Sequence, residues 1–160
     1  MNNLVVERIY PNDKRVKPQT IAHHVARYEF AAATIAKKKA LALDMACGTG
    51  YGTEILRKVG FKAVGVDIAY EAIDFARRQY VANEYIRQSA LEFSYEQYDL
   101  ITFSSALHHL VDYQSVLKMA LNRLNPNGLV YTIFDPTAKS FLPNLLIRWD
   151  YYVFKLSKYH

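Results

Sequence analysis

Leu43-Asp44-Met45-Ala46-Cys47-Gly48-Thr49-Gly50-Tyr51-Gly52 ends an apolar run in an acid and then places glycines at alternate positions. The pattern predicts a buried strand over 40–46 that turns through Gly48 and Gly50 into a helix over 51–59. Backbone freedom and the missing Cβ let a ligand approach the turn, and the first helical amides point at it. Lys62 to Val66 reads as the next strand. Asp67 ends it, seventeen residues after Gly50, where a carboxylate can accept both hydroxyls of a ribose.

Spacing separates two cofactor classes that use this plan. A dinucleotide motif G-x-G-x-x-G needs glycine at position 53, which is Thr53, and Asp44 would repel a pyrophosphate. S-adenosylmethionine has no phosphate and carries an ammonium group that a carboxylate can hold by charge-assisted bonds. At these residues the chain resembles the class I S-adenosylmethionine-dependent methyltransferases, of the methyltransferase type 11-like kind. The match runs from about Ala22 to Asp135 and is most specific in DMACGTGYG and in GVDIA at 65–69. The competing reading is a flexible turn made by the glycines at 48, 50 and 52.

With 160 residues, 51% of them hydrophobic, the chain can bury one core, so a single domain over 1–160 is expected. One cysteine, Cys47, excludes an internal disulfide, and the N-terminal stretch lacks the order of a signal peptide; a cytoplasmic protein is expected. No window reaches the roughly 20 apolar residues of a membrane span. Residues 1–39 hold eight Lys or Arg against three acids, and residues 40–136 hold eight against eleven. Such basic ends can attract an acidic substrate, nucleic acid or an anionic membrane surface. Lys37-Lys38-Lys39 can equally complement the dipole of a preceding helix.

Apolar residues at helical spacing (Ile21, Val25, Tyr28, Ala32, Ile35) predict an amphipathic helix over 19–39, after a loosely ordered arm over 1–18. Strands at 40–46, 62–66, 84–87, 98–104 and 128–134 then alternate with helices at 51–59, 69–80 and 112–124. The fold class expected is α/β: a Rossmann-like doubly wound parallel sheet with helices on both faces. Asn125-Pro126-Asn127-Gly128 is a turn before the fifth strand. Leu142, Leu145, Leu146, Trp149, Tyr152, Val153 and Leu156 predict a C-terminal amphipathic helix over 140–159. The resemblance implies further strands completing a seven-stranded sheet, which this sequence lacks. The fifth strand is therefore expected to have an uncovered edge and to invite association, a homodimer included.

In such a sheet the ligand lies beyond the carboxyl ends of the strands, where strand order reverses. The resemblance implies cofactor contacts from Asp44, Ala46, Gly48, Gly50 and Tyr51 in the glycine turn, with Asp67 on the ribose and Ile68 against the adenine. Ser89 and Ala90 stand where the family usually opens a G-D-A-like segment, with serine in place of the acid. Ser104-Ser105-Ala106-Leu107-His108-His109-Leu110 resembles an S-x-x-L-x-H-L pattern, in which Ser104 borders the methionine end, His109 braces the loop and His108 faces the substrate as a base or polar wall. His24-Val25-Ala26-Arg27-Tyr28-Glu29-Phe30 resembles the H-L-A-R-Y-E-F stretch of one branch. By that likeness Arg27 meets the cofactor carboxylate and Tyr28 shapes the pocket; a salt-linked, half-buried helix is the alternative. Cys47 reads as a small buried residue. His23 and His24 point apart and make no zinc site.

The function expected is methyl transfer from S-adenosylmethionine to a small-molecule acceptor. No D-P-P-Y follows the fourth strand, which counts against a nucleic acid base as acceptor. The rival from another class is a methyltransferase-like binding or scaffold module that catalyses nothing. Peripheral contact with a lipid surface is a third reading, prompted by the basic, aromatic C-terminal stretch.

Overall fold

Apolar strands alternate with helices through most of the chain, and the computed structural model describes them at residues 9–11, 14, 16–35, 40–93, 97–133, 135 and 154–157. The elements are α1 (Pro18–Ala33), β1 (Leu41–Met45), α2 (Tyr51–Lys58), β2 (Lys62–Asp67), α3 (Tyr70–Gln79) and β3 (Glu84–Arg87). They continue with β4 (Tyr98–Ser104), a 3-10 turn (Leu107–His109), α4 (Tyr113–Asn122), β5 (Leu124–Ile133) and β6 (Phe154–Ser157). The sheet order is β3-β2-β1-β4-β5-β6. β1 to β5 run parallel and β6 antiparallel to β5. After β1 the chain builds outward to β3 and then crosses back to β4, so a crevice forms where β1 and β4 end.

Side chains of β1 alternate between the two faces of the sheet. Leu43 and Met45 join a core with Phe103, Val116 and Ala120, beneath α4. Ala42 faces the other way, into a core with Tyr28, Ala31, Leu56 and Leu100 from α1, α2 and β4. Asp44, two residues after Ala42, therefore points at α1 and α2. Helix ends follow the usual rules. Proline opens α1, Glu54 sits in the first turn of α2 with Arg57 and Lys58 in its last, and the Asp112 carboxylate caps α4 by accepting from the Ser115 amide.

Four expectations change. α1 ends at Ala33 with a Thr34 cap rather than running to Lys39, and 36–39 lie outside the described residues. The turn at Asn125–Gly128 is absorbed into β5 as an irregularity: register shifts between Tyr98 and Leu100, Asn127 takes φ 64°, and Asn125 Nδ2 donates to Asp99 Oδ1 at 3.0 Å. Within the expected arm over 1–18, Ile9 and Tyr10 are tied down. The Ile9 carbonyl accepts from Thr49 Oγ1, and the Tyr10 ring meets Phe75 edge-on at 5.0 Å.

The fourth change concerns the helix expected over 140–159. Residues 154–157 form β6 instead, pairing with β5 from Leu129 to Thr132, so the β5 edge is covered. An open sheet edge offers a ladder of amides and carbonyls that a helix cannot use, and this outweighs the helical spacing of the leucines. Residues 140–153 and 158–159 lie outside the described residues, as does most of the Leu142–Leu156 stripe. The described sheet has six strands, one fewer than the family's seven. No helix among the described residues is long and apolar enough to cross a membrane.

Candidate active site

A cavity of about 300 Å³ opens at the carboxyl ends of β1, β2 and β4, walled on one side by α1. Its floor is the turn after β1. Ala46 and Gly48 both take positive φ, 56° and 54°, and a Cβ placed on Gly48 would meet nothing within 4 Å, so the backbone there faces open space. Gly50 is different. At φ 79° it caps α2, and a Cβ would strike Ala76 and Tyr85 at 2.6 Å, so this glycine serves helix packing and does not line the cavity. A Cβ on Gly52 would run into the Tyr28 ring; the third glycine exists to seat α1.

Asp67 stands at the end of β2 with each oxygen engaged once. Oδ2 accepts from the Gly48 amide and Oδ1 from the Ala69 amide, both at 2.8 Å. Each carboxylate oxygen keeps a free lone pair, so the group remains able to accept hydroxyls from the cavity it lines. Ile68 beside it is 65% exposed and also borders the cavity.

Asp44 departs from expectation. Its carboxylate is wholly buried and accepts from Tyr28 Oη at 3.1 Å, Thr102 Oγ1 at 3.0 Å and Thr53 Oγ1 at 2.9 Å. It does not line the cavity, and the Tyr28 ring covers it. Direct contact with a ligand ammonium is closed to it in this arrangement. Burial raises its pKa to about 6 against the opposing pull of the three hydroxyls. Thr53, the residue that breaks the dinucleotide spacing, is one of those donors.

The α1 wall is polar and neutral. His24 Nδ1 shares a 2.5 Å hydrogen bond with the Tyr51 hydroxyl, and both residues line the cavity with Tyr28. Burial, helped by the charge of Arg27, lowers the His24 pKa to about 4. Arg27 does not reach the cavity as expected. It is 6% exposed, and its Nη1 donates to Ser105 Oγ at 3.1 Å, tying α1 to the loop after β4. Ser104 does line the cavity, and its Oγ, next to the Tyr28 hydroxyl, is buried without a hydrogen bond of good geometry.

Ser89 and Ala90 lie off the cavity. Ser89 Oγ accepts from the Leu91 amide at 3.3 Å within the turn after β3, and Ala90 packs against the α4-side core. His109 is not confined to bracing the loop. His109 borders the cavity, whereas His108 stands one step outward, its ring centroid 4.0 Å from that of His109 and its Nδ1 2.9 Å from Asp135 Oδ1. Cys47 lies buried in the floor, its thiol pKa pushed up chiefly by burial. Asp135 went unread in the sequence, although an acid just past a strand end is the same signal that marks Asp67.

Comparison with known proteins agrees with this geometry. The sequence profile of the methyltransferase domain matches residues 16–159. Ubiquinone biosynthesis O-methyltransferase from a Shewanella strain is 29% identical over 112 residues, covering 65% of this chain and 48% of the relative. The enzyme of that name from Actinobacillus pleuropneumoniae is 28% identical over 127 residues, covering 71% and 53%. The chain thus spans about half the length of these curated relatives. Among solved structures, a protein of Pyrococcus horikoshii superposes with TM-score 0.66 at 26% identity, covering 78% of this chain and 63% of that one. The N-methyltransferase NodS of Bradyrhizobium japonicum, solved with S-adenosyl-L-homocysteine, gives 0.65 at 20% identity, covering 73% and 62%, a likeness of fold. A profile match over nearly the whole chain, on a sheet whose switch point carries Gly48 and Asp67, establishes that the chain belongs to the class I S-adenosylmethionine-dependent methyltransferase family.

Proposed function

We propose that this chain methylates a hydroxyl group of a small molecule, with S-adenosylmethionine as methyl donor. The observation that carries the reading is Asp67, fixed by the Gly48 and Ala69 amides at the mouth of β2 with acceptor capacity left over. The residues present fit the cofactor. Asp67 suits ribose hydroxyls, Ile68 suits an aromatic face, and the open side of Gly48 admits close approach. The underused Ser104 hydroxyl and the His24–Tyr51 pair suit the amino acid end. When bound, the cofactor supplies a methyl group on an electrophilic sulfonium.

What remains for the chain is to orient an acceptor, exclude water and take a proton. A cavity of about 300 Å³ holds roughly one such ligand, which puts the acceptor at the lip formed by the turn Leu107–His109. His108 stands there with its side chain 33% exposed. A hydroxyl acceptor needs a base where a free amine does not, and we assign that role to His108 Nε2. The relatives' name, O-methyltransferase, supports the choice of oxygen.

Titration calorimetry tests the cofactor site. S-adenosylhomocysteine should bind, NAD should not, and Asp67→Ala should weaken binding by about 1.5–3 kcal/mol, the usual cost of charged hydrogen bonds. Equal affinity for NAD, or an unchanged affinity in Asp67→Ala, refutes the assignment.

A further inference from the structure

Asp135 lies two residues past β5, on the same rim as the cavity, and one of its oxygens meets both the backbone and the ring of a single residue. Its Oδ1 accepts from the His108 backbone amide at 3.3 Å and lies 2.9 Å from the His108 ring Nδ1. Its Oδ2 is buried and has no hydrogen-bond partner among the described residues. The Asp135 side chain is 15% exposed against 33% for His108, so the acid sits behind the ring and the ring faces outward. Placing a carboxylate there costs desolvation, which is unfavourable unless hydrogen bonds to the charge offset it.

A purely structural cap would need only the backbone bond, because the His108 amide is a free donor at the start of the 3-10 turn. The ring bond has a different consequence. A carboxylate accepts only, so Nδ1 must carry the hydrogen, and in a neutral imidazole Nε2 is then left with a lone pair. The other titratable ring facing His108 is His109, whose centroid is 4.0 Å away and which borders the cavity.

We infer that Asp135 is a positioning residue: it holds His108 in the Nδ1–H tautomer with Nε2 turned outward as proton acceptor for the substrate hydroxyl. This rests on the hydroxyl-methylation reading above. In the proton step the acceptor O–H bond breaks, the proton joins Nε2, and the bonding pair stays on oxygen. The resulting imidazolium carries its charge against a carboxylate already in place, so no group has to move to stabilise it.

The test begins without turnover. Nitrogen-15 NMR of the histidine rings in alkaline buffer should show His108 protonated on Nδ1, and Asp135→Asn should shift the proton toward Nε2, because the amide can present a donor to Nδ1. Calorimetry with S-adenosylhomocysteine should give the same affinity in both proteins. With S-adenosylmethionine and catechol as probe substrates, Asp135→Asn and His108→Asn should each lower kcat about a hundredfold or more. A wild-type ring protonated on Nε2, or a tautomer unmoved in Asp135→Asn, overturns the inference. Loss of S-adenosylhomocysteine affinity in Asp135→Asn does so too, since it marks Asp135 as a structural cap. If His108→Asn abolishes turnover and Asp135→Asn does not, the inference alone falls. Full turnover in His108→Asn removes the base itself, and the hydroxyl reading with it.

Discussion

Asp44→Asn isolates the energetic cost of an acid that the fold buries completely. In the unfolded chain the carboxyl titrates at 3.8; in the folded protein burial raises it to about 6. The folded state therefore binds more protons between these values, and stability is lost as pH rises through the window. Two pKa units at 1.36 kcal/mol each give a loss of about 3 kcal/mol, complete above about pH 7. His24 acts with the opposite sign. Its folded pKa of about 4 lies below the 6.5 of a free imidazole, so stability is gained as pH rises through nearly the same range. In the wild type these two contributions nearly cancel, and the difference between the two proteins exposes Asp44. Asparagine is neutral throughout and keeps an oxygen for Tyr28 and Thr102, while the Thr53 hydroxyl can turn to accept from its amide. Urea midpoints at several pH values between 4 and 8, converted to free energies, should show Asp44→Asn gaining about 2.5 kcal/mol on wild type from the acid end to the neutral end, part of the full loss having occurred below pH 4. A difference independent of pH refutes the reasoning, because it means that Asp44 is ionised in the folded protein across the range, as it is in the unfolded chain.

Gly52→Ala should destabilise the fold by about 1–3 kcal/mol in the same assay, because its Cβ enters the Tyr28 ring; wild-type stability would show that α1 gives way freely. Tyr28→Phe should cost about 1 kcal/mol by removing one of three donors to Asp44, and a stabilised variant would contradict the hydrogen bond. Cys47, buried and with its thiolate disfavoured, should react with a thiol reagent only as fast as the chain opens, so urea should accelerate labelling; immediate reaction in buffer would place it at the surface.

The parallel sheet was legible because β1, β2 and β4 are short apolar runs ended by an acid, a glycine turn or a serine, and those ends are also where the cavity opens. Ala46, Gly48, Tyr51, Asp67, Ile68, Ser104 and Tyr28 all reach its wall. What spacing could not supply was the direction of each side chain at the rim. Asp44 shares the α1 face with Ala42 and is sealed, Gly50 faces Tyr85, and Arg27 turns to Ser105. Ser89 is spent on its own turn. His108 and His109 are neighbours, so a turn of one residue decides which of them meets the cavity. β6 escaped because four residues of period two lie inside a longer helical spacing, and the choice depends on a sheet edge that forms only after the rest has folded.

Tyr28 is both a wall of the cavity and the cover over Asp44. Any excursion that lifts α1 admits water to that acid, which then ionises like an ordinary carboxylate and gives up its proton below about pH 6. The same excursion frees His24 on α1, which takes up a proton in nearly the same range, so opening of the ligand chamber exchanges the proton of Asp44 for one on His24 and changes the total bound by little. The rate of ligand entry through this route should accordingly change little across mildly acid pH in the wild type and lose that constancy in Asp44→Asn, a signature written by a residue that never touches the ligand.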